Sequence, residues 1–283
     1  MTLSEQTLQA LASAGLDPVA VELLALRTLQ EDLAGGVDVT SVATIPEGLI
    51  GTAAFVPREP GVVAGIAVAM ACLEAVGPVT WEVVGQDGPA RAGQVVLSAT
   101  APVRTLLTGE RSALNLLCHL SGVATLTSRW VAAVEGTGAR IRDTRKTTPG
   151  LRALEKAAVV VGGGVNHRHS LSDAALVKDN HVVAAGGVTA AFAAVRERWP
   201  DLEVEVECDT VAQVREVVVA GADLVLLDNM TLEQTREAVA VCRSAGVRTE
   251  ASGGLSIEQA RAIAEIGVDF LSVGALTHSA PVL

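Results

Sequence analysis

The sequence predicts an α/β protein in two parts: a mixed α+β layer, then repeating βα units that build a parallel sheet, open or closed into a barrel. Three observations predict it. Two amphipathic helical stretches open the chain and give way to short apolar runs punctuated by Gly and Pro. Beyond Arg140, apolar strands and helices alternate at steps of roughly twenty residues. Three of those steps share one helix-starting signal, S/T-x-x-E/Q, at Thr210–Gln213, Thr231–Gln234 and Ser256–Gln259.

Ser4 to Ala14 reads as a helix with Leu8 and Leu11 on its apolar face and Gly15 as its stop. Asp17-Pro18 is a cap followed by proline at the first helical position, opening a second helix to about Leu33 that Gly35-Gly36 ends. Strands are expected at 51–58, 81–85 and 95–99, with a helix over 66–76. From Thr108 a long helical segment follows, interrupted near Gly122, with Arg111 close to its beginning. The domain change is placed here: an N-terminal α+β domain over 1–108, which the tail 275–283 rejoins, and an α/β catalytic domain over 109–274. The second part has strands at 202–207, 224–227, 247–251 and 270–273. Glu207, Asp228 and Gly253 each stand three residues before a helix cap, at the strand ends where α/β enzymes gather catalytic groups.

Composition excludes several classes. Of the 283 residues 49% are hydrophobic but only 2% aromatic, so the core is aliphatic, and without any Tyr no mechanism can use a tyrosine. Acids outnumber bases 32 to 21, which argues against nucleic-acid binding and against docking on anionic membrane. No apolar run is long enough for a membrane span, and the N-terminus lacks the basic start of a signal peptide, so a cytoplasmic protein is expected. The four cysteines are far apart and in apolar contexts, which predicts buried reduced thiols rather than a zinc knuckle or disulfides.

Against the chain's charge of −11, residues 142–181 hold seven Lys and Arg and only four acids, a local charge of +3. The cations are spaced by Thr147-Thr148-Pro149-Gly150 and by Gly162-Gly163-Gly164, which allow tight turns and close backbone approach, so the segment reads as a pocket wall for a small polyanion. Glu203, Glu205 and Glu207 share one face of their strand; a solvated edge accounts for Glu203 and Glu205, whereas Glu207 sits at the catalytic end. Glu207 and Asp228 at neighbouring strand ends suit a hard divalent cation that keeps its waters and binds through substrate phosphates. His167, His169 and His181 match no zinc spacing. Ser252-Gly253-Gly254 and Val273-Gly274-Ala275 follow the last two strands, as in the phosphate cups of α/β barrels.

The segments TRKTTPGLRALEK, GGGVNHRHSLSDAALVKDNH, EVEC, LLDNM, EASGG and VGALTHS, in this order, resemble the quinolinate phosphoribosyltransferase family. The likeness extends upstream through EDLAGGVDVTS and GERSALNLLCHLSGVAT and so covers nearly the whole chain. The resemblance implies an N-terminal α+β sandwich domain followed by an open, irregular α/β barrel of the type II phosphoribosyltransferase kind, in a homodimer. It implies transfer of a phosphoribosyl group from phosphoribosyl pyrophosphate to quinolinate with loss of CO₂, giving nicotinate mononucleotide on the route to NAD.

Carried over residue by residue, it places quinolinate on Thr144, Arg145, Lys146, His167, Arg168 and Lys178, with Arg111 reaching across the dimer. Phosphoribosyl pyrophosphate and Mg²⁺ fall on Glu207 and Asp228, its phosphates on Ser252, Gly253, Gly254, Val273, Gly274 and Ala275, and catalysis on Lys146, Glu207 and Asp228. Ala157 and Ser170 stand where the family has Tyr and Gly, and Thr148 where an apolar residue is commoner, but no charged position is altered.

So many cations in one cleft also predict that the empty wall is partly disordered or holds an anion. Alternative readings are a same-fold relative, either a molybdenum-transport-associated homologue or a nicotinate-type transferase; a Schiff-base aldolase with Lys178 as nucleophile; and a non-catalytic anion-binding or nucleic-acid-binding module.

Overall fold

The computed structural model describes residues 3–283, which form two compact units. The first comprises the chain to Leu126 together with Ala153–Gly162 and Ser279–Leu283; the second holds Thr127–Arg152 and Gly163–His278. The chain passes between these units at 126/127, inside a helix, while the sequence reading sets its domain change at 108/109; of the expected tail, Ser279–Leu283 lies with the first unit.

In the first unit, α1 (Glu5–Ser13), α2 (Pro18–Leu33) and α3 (Val39–Thr44) are capped by Ser4, Asp17 and Asp38, whose side chains accept from the N–H of Thr7, Val19 and Ser41. In α1 the inward positions are Thr7 and Leu11, while Leu8 is exposed. The pull toward Thr7 is a hydrogen bond: Thr7 Oγ1 donates to buried Glu74 at 2.7 Å, which also accepts from Ser4 Oγ at 2.6 Å and Trp81 Nε1 at 2.7 Å. A polar anchor thus decides the helix face that apolar periodicity assigns to Leu8.

Strands β1 (Ile50–Phe55) and β2 (Gly61–Val63), helix α4 (Ile66–Glu74), and strands β3 (Thr80–Val84), β4 (Gly88–Ala90) and β5 (Leu97–Pro102) follow. β1, β5 and β3 form an antiparallel sheet, β2 and β4 a separate pair, and α4 is buried along its whole length. The two three-residue strands are too short to leave an alternation in the sequence.

Helix α5 (Val103–Ala133) runs unbroken through Gly122. This corrects the expected interruption: a Cβ at Gly122 would collide with the Pro281 carbonyl, so the glycine admits a close backbone crossing by the C-terminal tail. The tail is held there by Leu283 N–H donating to Cys118 O at 3.2 Å.

The second unit contains β6 (Arg140–Arg142); helix α6 (Arg152–Val161) then returns to the first. β7 (Ala175–Val177), α7 (Asp179–Ala185), α8 (Val188–Arg198), β8 (Val204–Cys208), α9 (Val211–Val219), β9 (Leu224–Asp228), α10 (Leu232–Ser244), β10 (Arg248–Ser252), α11 (Ile257–Ile266), β11 (Phe270–Ser272) and α12 (Ala275–His278) complete the chain. The six strands are parallel in the order β6-β11-β10-β9-β8-β7, an open sheet with a single bridge from Arg142 to Val165 beyond β6. The α+β and α/β classes are thus as expected.

Thr210 and Thr231 form reciprocal capping boxes with Gln213 and Gln234. Ser256 occupies the N-cap without a side-chain cap bond. Among the described residues no single helix is long and apolar enough to cross a membrane.

Candidate functional site

Parallel strands put all their C-terminal ends on one side, and there the second unit has a cavity of about 540 Å³. Thr144, Arg145 and Lys146 after β6, and His167 and Arg168 after the Val165 bridge, supply one part of its lining. Lys178 after β7, Glu207 on β8, Asp228 ending β9, and Ser252-Gly253-Gly254 after β10 supply the rest. Eleven of the residues singled out in the sequence therefore meet around one space.

Four do not line it. Arg111 is an exposed residue of α5 in the first unit. Val273 is buried and donates its N–H to Arg142 O at 2.9 Å. Gly274 lies against the Lys146 side chain, 2.9 Å from where a Cβ would stand, and Ala275 starts α12. The neighbouring Ser272 borders the cavity in their place.

The two arginines define its electrostatics. Arg145 Nε and Arg168 Nε are both buried and have no hydrogen-bond partner, which is rare for a guanidinium. Arg168 is held below the usual arginine value, first by burial and then by the charge of Arg145, with Glu205 and Asp173 opposing. Lys178 Nζ instead pairs with Glu207 Oε2 at 3.2 Å. A lysine held as a salt-bridge partner does not support the aldolase reading.

Beneath the cations lies a charged floor. Arg142 donates to Glu250 at 2.6 Å and stacks over the Phe270 ring at 4.7 Å. His167 lies 2.7 Å from Glu205 and 3.9 Å from Glu250. Burial raises both glutamates to about 7, and each is lifted further by neighbouring acids while Arg142 pulls it down. Glu205 is therefore no solvated edge residue; it is 3% exposed, whereas Glu203 is exposed and pairs with Arg248 at 2.6 Å. The shared parity put Glu203, Glu205 and Glu207 on one face but did not tell buried Glu205 from solvated Glu203. Glu250 and Arg142 were missed as a pair, because no sequence spacing reveals partners from strands so far apart in the chain.

The protein's own carboxylates supply part of the charge that compensates the cation wall. Among the described residues His167, Glu205 and Glu250 are the cluster with metal-ligand spacing. The Arg142 guanidinium on Glu250 already supplies a cation there, so the cluster reads as an ion network and not as a metal centre.

Glu207 and Asp228 are the pair that fits Mg²⁺, although Lys178 Nζ already sits on Glu207 Oε2 and would share it with the ion. Both are carboxylates at adjacent strand ends bordering the cavity, and hard oxygen donors with space for waters and phosphates are what that ion takes. Next to Asp228, Asn229 has φ 53° and lies against Gly253, where a Cβ would stand 2.8 Å from its backbone nitrogen. With φ +90° as well, Gly253 is confined to glycine, which keeps the loop's backbone open to the cavity.

The departures from the family pattern have local consequences. Ala157 borders a separate cavity of about 590 Å³ in the first unit. Ser170 N–H and Oγ both bond to Asp173, closing the turn in which a glycine is usual. Thr148 O accepts from Leu151 N–H in the turn before α6.

The sequence matches the family model for the quinolinate phosphoribosyl transferase N-terminal domain over residues 38–121 and that for the C-terminal domain over residues 123–283. It is 52% identical over 270 residues to the nicotinate-nucleotide pyrophosphorylase (carboxylating) of Mycobacterium leprae, covering 91% of this chain and 93% of that protein. It is 42% identical over 193 residues to the human protein of the same name, covering 66% and 65%. Among solved structures, NadC from Streptococcus pyogenes superposes with a TM-score of 0.90 at 38% identity over 95% of each chain. The nicotinate-nucleotide pyrophosphorylase of Francisella tularensis does so with 0.90 at 34%, over 94% of this chain and 95% of that one. The chain belongs to the quinolinate phosphoribosyl transferase family.

Proposed function

We infer that the protein transfers a phosphoribosyl group from phosphoribosyl pyrophosphate to quinolinate and releases CO₂, forming nicotinate mononucleotide for NAD biosynthesis. The observation that carries this reading is the pair of buried, unpartnered Nε donors on Arg145 and Arg168 at one cavity. Buried guanidinium donors call for carboxylate acceptors, and a pyridine dicarboxylate brings two. A monocarboxylate would leave part of this charge unanswered, so the nicotinate-type alternative is not favoured.

In this reading Arg145, Arg168 and Lys178 hold the two carboxylates and turn the ring nitrogen toward C1 of the ribosyl group. Thr144, Lys146 and His167 complete that wall. As the C1–O bond loosens, positive charge grows on the ribosyl group, and Glu207 and Asp228 are placed to stabilise it. Pyrophosphate leaves with the bonding electrons. The ring nitrogen, now quaternary, accepts the electron pair released when the 2-carboxylate departs as CO₂. The loop Ser252–Gly254, with Ser272 beside it, takes the sugar phosphate. Glu207 and Asp228 would hold Mg²⁺, which when bound supplies neutralisation of phosphate charge.

The reading extends to a homodimer in which Arg111 completes the partner's site. Leu107 and Arg111 stand one turn apart on α5, and Val19, Leu23, Val39 and Val42 on α2 and α3 are exposed, an apolar surface that association would cover. Four free cysteines without a disulfide fit the reducing cytoplasm. Calorimetric titration tests the ligand. Quinolinate is expected to bind at least about tenfold more tightly than nicotinate, the loss of one charge-assisted contact; equal affinities would contradict the reading.

A further inference from the structure

We propose that Glu205 and Glu250 are positioning residues for the anion cleft, fixing the His167 ring, and through it the Arg168 main chain, from beneath. The inference deepens the functional reading above and rests on it for its kinetic part. The chain of contacts is short. Arg168 N–H donates to His167 Nδ1 at 2.7 Å, so Nδ1 carries no proton and the ring hydrogen is on Nε2. That Nε2–H donates to Glu205 Oε2 at 2.7 Å. His167 N–H donates to buried Asp143 Oδ1 at 2.8 Å. The N–H groups of His167 and Arg168 are therefore both bonded, which fixes the backbone at the base of the Arg168 side chain, and Arg168 Nη1 donates to Ala174 O at 3.0 Å, so that its Nε faces the cleft in only a narrow range of directions.

Glu250 braces the same ring from a different strand. Its Oε2 is fixed by Arg142, itself immobilised over Phe270, which leaves Oε1 3.9 Å from His167 Nε2. Glu205 Oε1 and Glu250 Oε1 have no hydrogen-bond donor of their own.

Two carboxylates inside a sheet whose other inward positions include Leu224 and Leu226 are a costly choice, since aliphatic side chains there would be as stable or more so. A cost of this kind beside a binding cleft is the mark of a functional constraint. The network is also a partition. Glu250 borders the 540 Å³ cleft, Glu205 borders a second cavity of about 220 Å³, and His167 and Arg168 border both.

The test has two independent arms. Nitrogen-15 NMR of the wild-type protein reads the His167 tautomer without any turnover: the Nε2–H form is expected, and the Nδ1–H or doubly protonated form would overturn the proposal. In steady-state kinetics Glu205→Leu removes the acceptor. It is expected to raise KM for quinolinate about 10- to 100-fold, the loss of a hydrogen bond to a charged group. KM for phosphoribosyl pyrophosphate should stay unchanged, and Glu205→Gln, whose amide oxygen still accepts, should recover most of the loss. A parallel change in both KM values, or a Gln variant no better than Leu, would mean that Glu205 serves only the fold. If the wild-type protein does not turn over quinolinate, the functional reading falls, while the NMR arm still decides the positioning claim.

Discussion

Arg145 and Arg168 each leave a buried Nε without an acceptor, and that debt of hydrogen bonds is what a dicarboxylate would settle. Replacing either by Ala is expected to raise KM for quinolinate by about 100-fold, as when one partner of a buried charge pair is truncated. Melting temperature should change little, since in each residue only Nε is buried without an acceptor and Arg168 Nη1 already donates to Ala174 O at 3.0 Å; the check is kinetics beside calorimetry on each variant. The floor offers a second prediction. Glu205 and Glu250 titrate near 7 in the fold against an ordinary 4.5, so the native state binds protons more tightly than the unfolded chain. Their contribution is fully present below the unfolded value and is lost as pH rises through about 7. Glu250→Gln removes one of the two acids, and its urea-unfolding free energy should fall less with pH across that window than the wild type's. An unchanged slope would contradict the burial argument. Local sequence reveals the cations and the shared parity of the three glutamates, but neither the burial of Glu205 nor the Arg142–Glu250 pair. Those two residues are 108 positions apart and meet only because β11 sits between their strands.

Elements were legible where a local signal is strong. Caps at Ser4, Asp17, Thr210 and Thr231 fix helix starts by hydrogen bonds between neighbours, so sequence and structure agree there. The three-residue strands β2, β4, β6, β7 and β11 carry almost no periodicity, and of these only β11 was anticipated. Gly122 shows the opposite failure: a glycine in a helical pattern reads as a break, while its physical role is to admit the crossing of Pro281 and Val282. In an open helix Gly→Ala gains roughly 1 kcal/mol. Here the added Cβ meets backbone, and Gly122→Ala is expected to destabilise by about 2 kcal/mol, as overpacking does. A chemical-denaturation midpoint higher than the wild type's would show that the tail simply moves aside.

At the scale of the molecule, the open parallel sheet explains why residues from Thr144 to Gly254 converge on one cleft. What one chain does not bring to the cleft is Arg111. If it acts in the partner's site, mixing Arg111→Ala and Asp228→Asn proteins, each nearly inactive, should restore about a quarter of wild-type activity after subunit exchange, because half the dimers are mixed and each has one intact site. No recovery despite exchange would mean that Arg111 serves its own chain's site and not the partner's. The measurement that bears most directly on the whole account is turnover with quinolinate, phosphoribosyl pyrophosphate and Mg²⁺, following nicotinate mononucleotide and CO₂, beside a matched assay with nicotinate. Equimolar nucleotide and CO₂ from quinolinate, and no product from nicotinate, is the predicted result; product from nicotinate alone, or from neither, would contradict it.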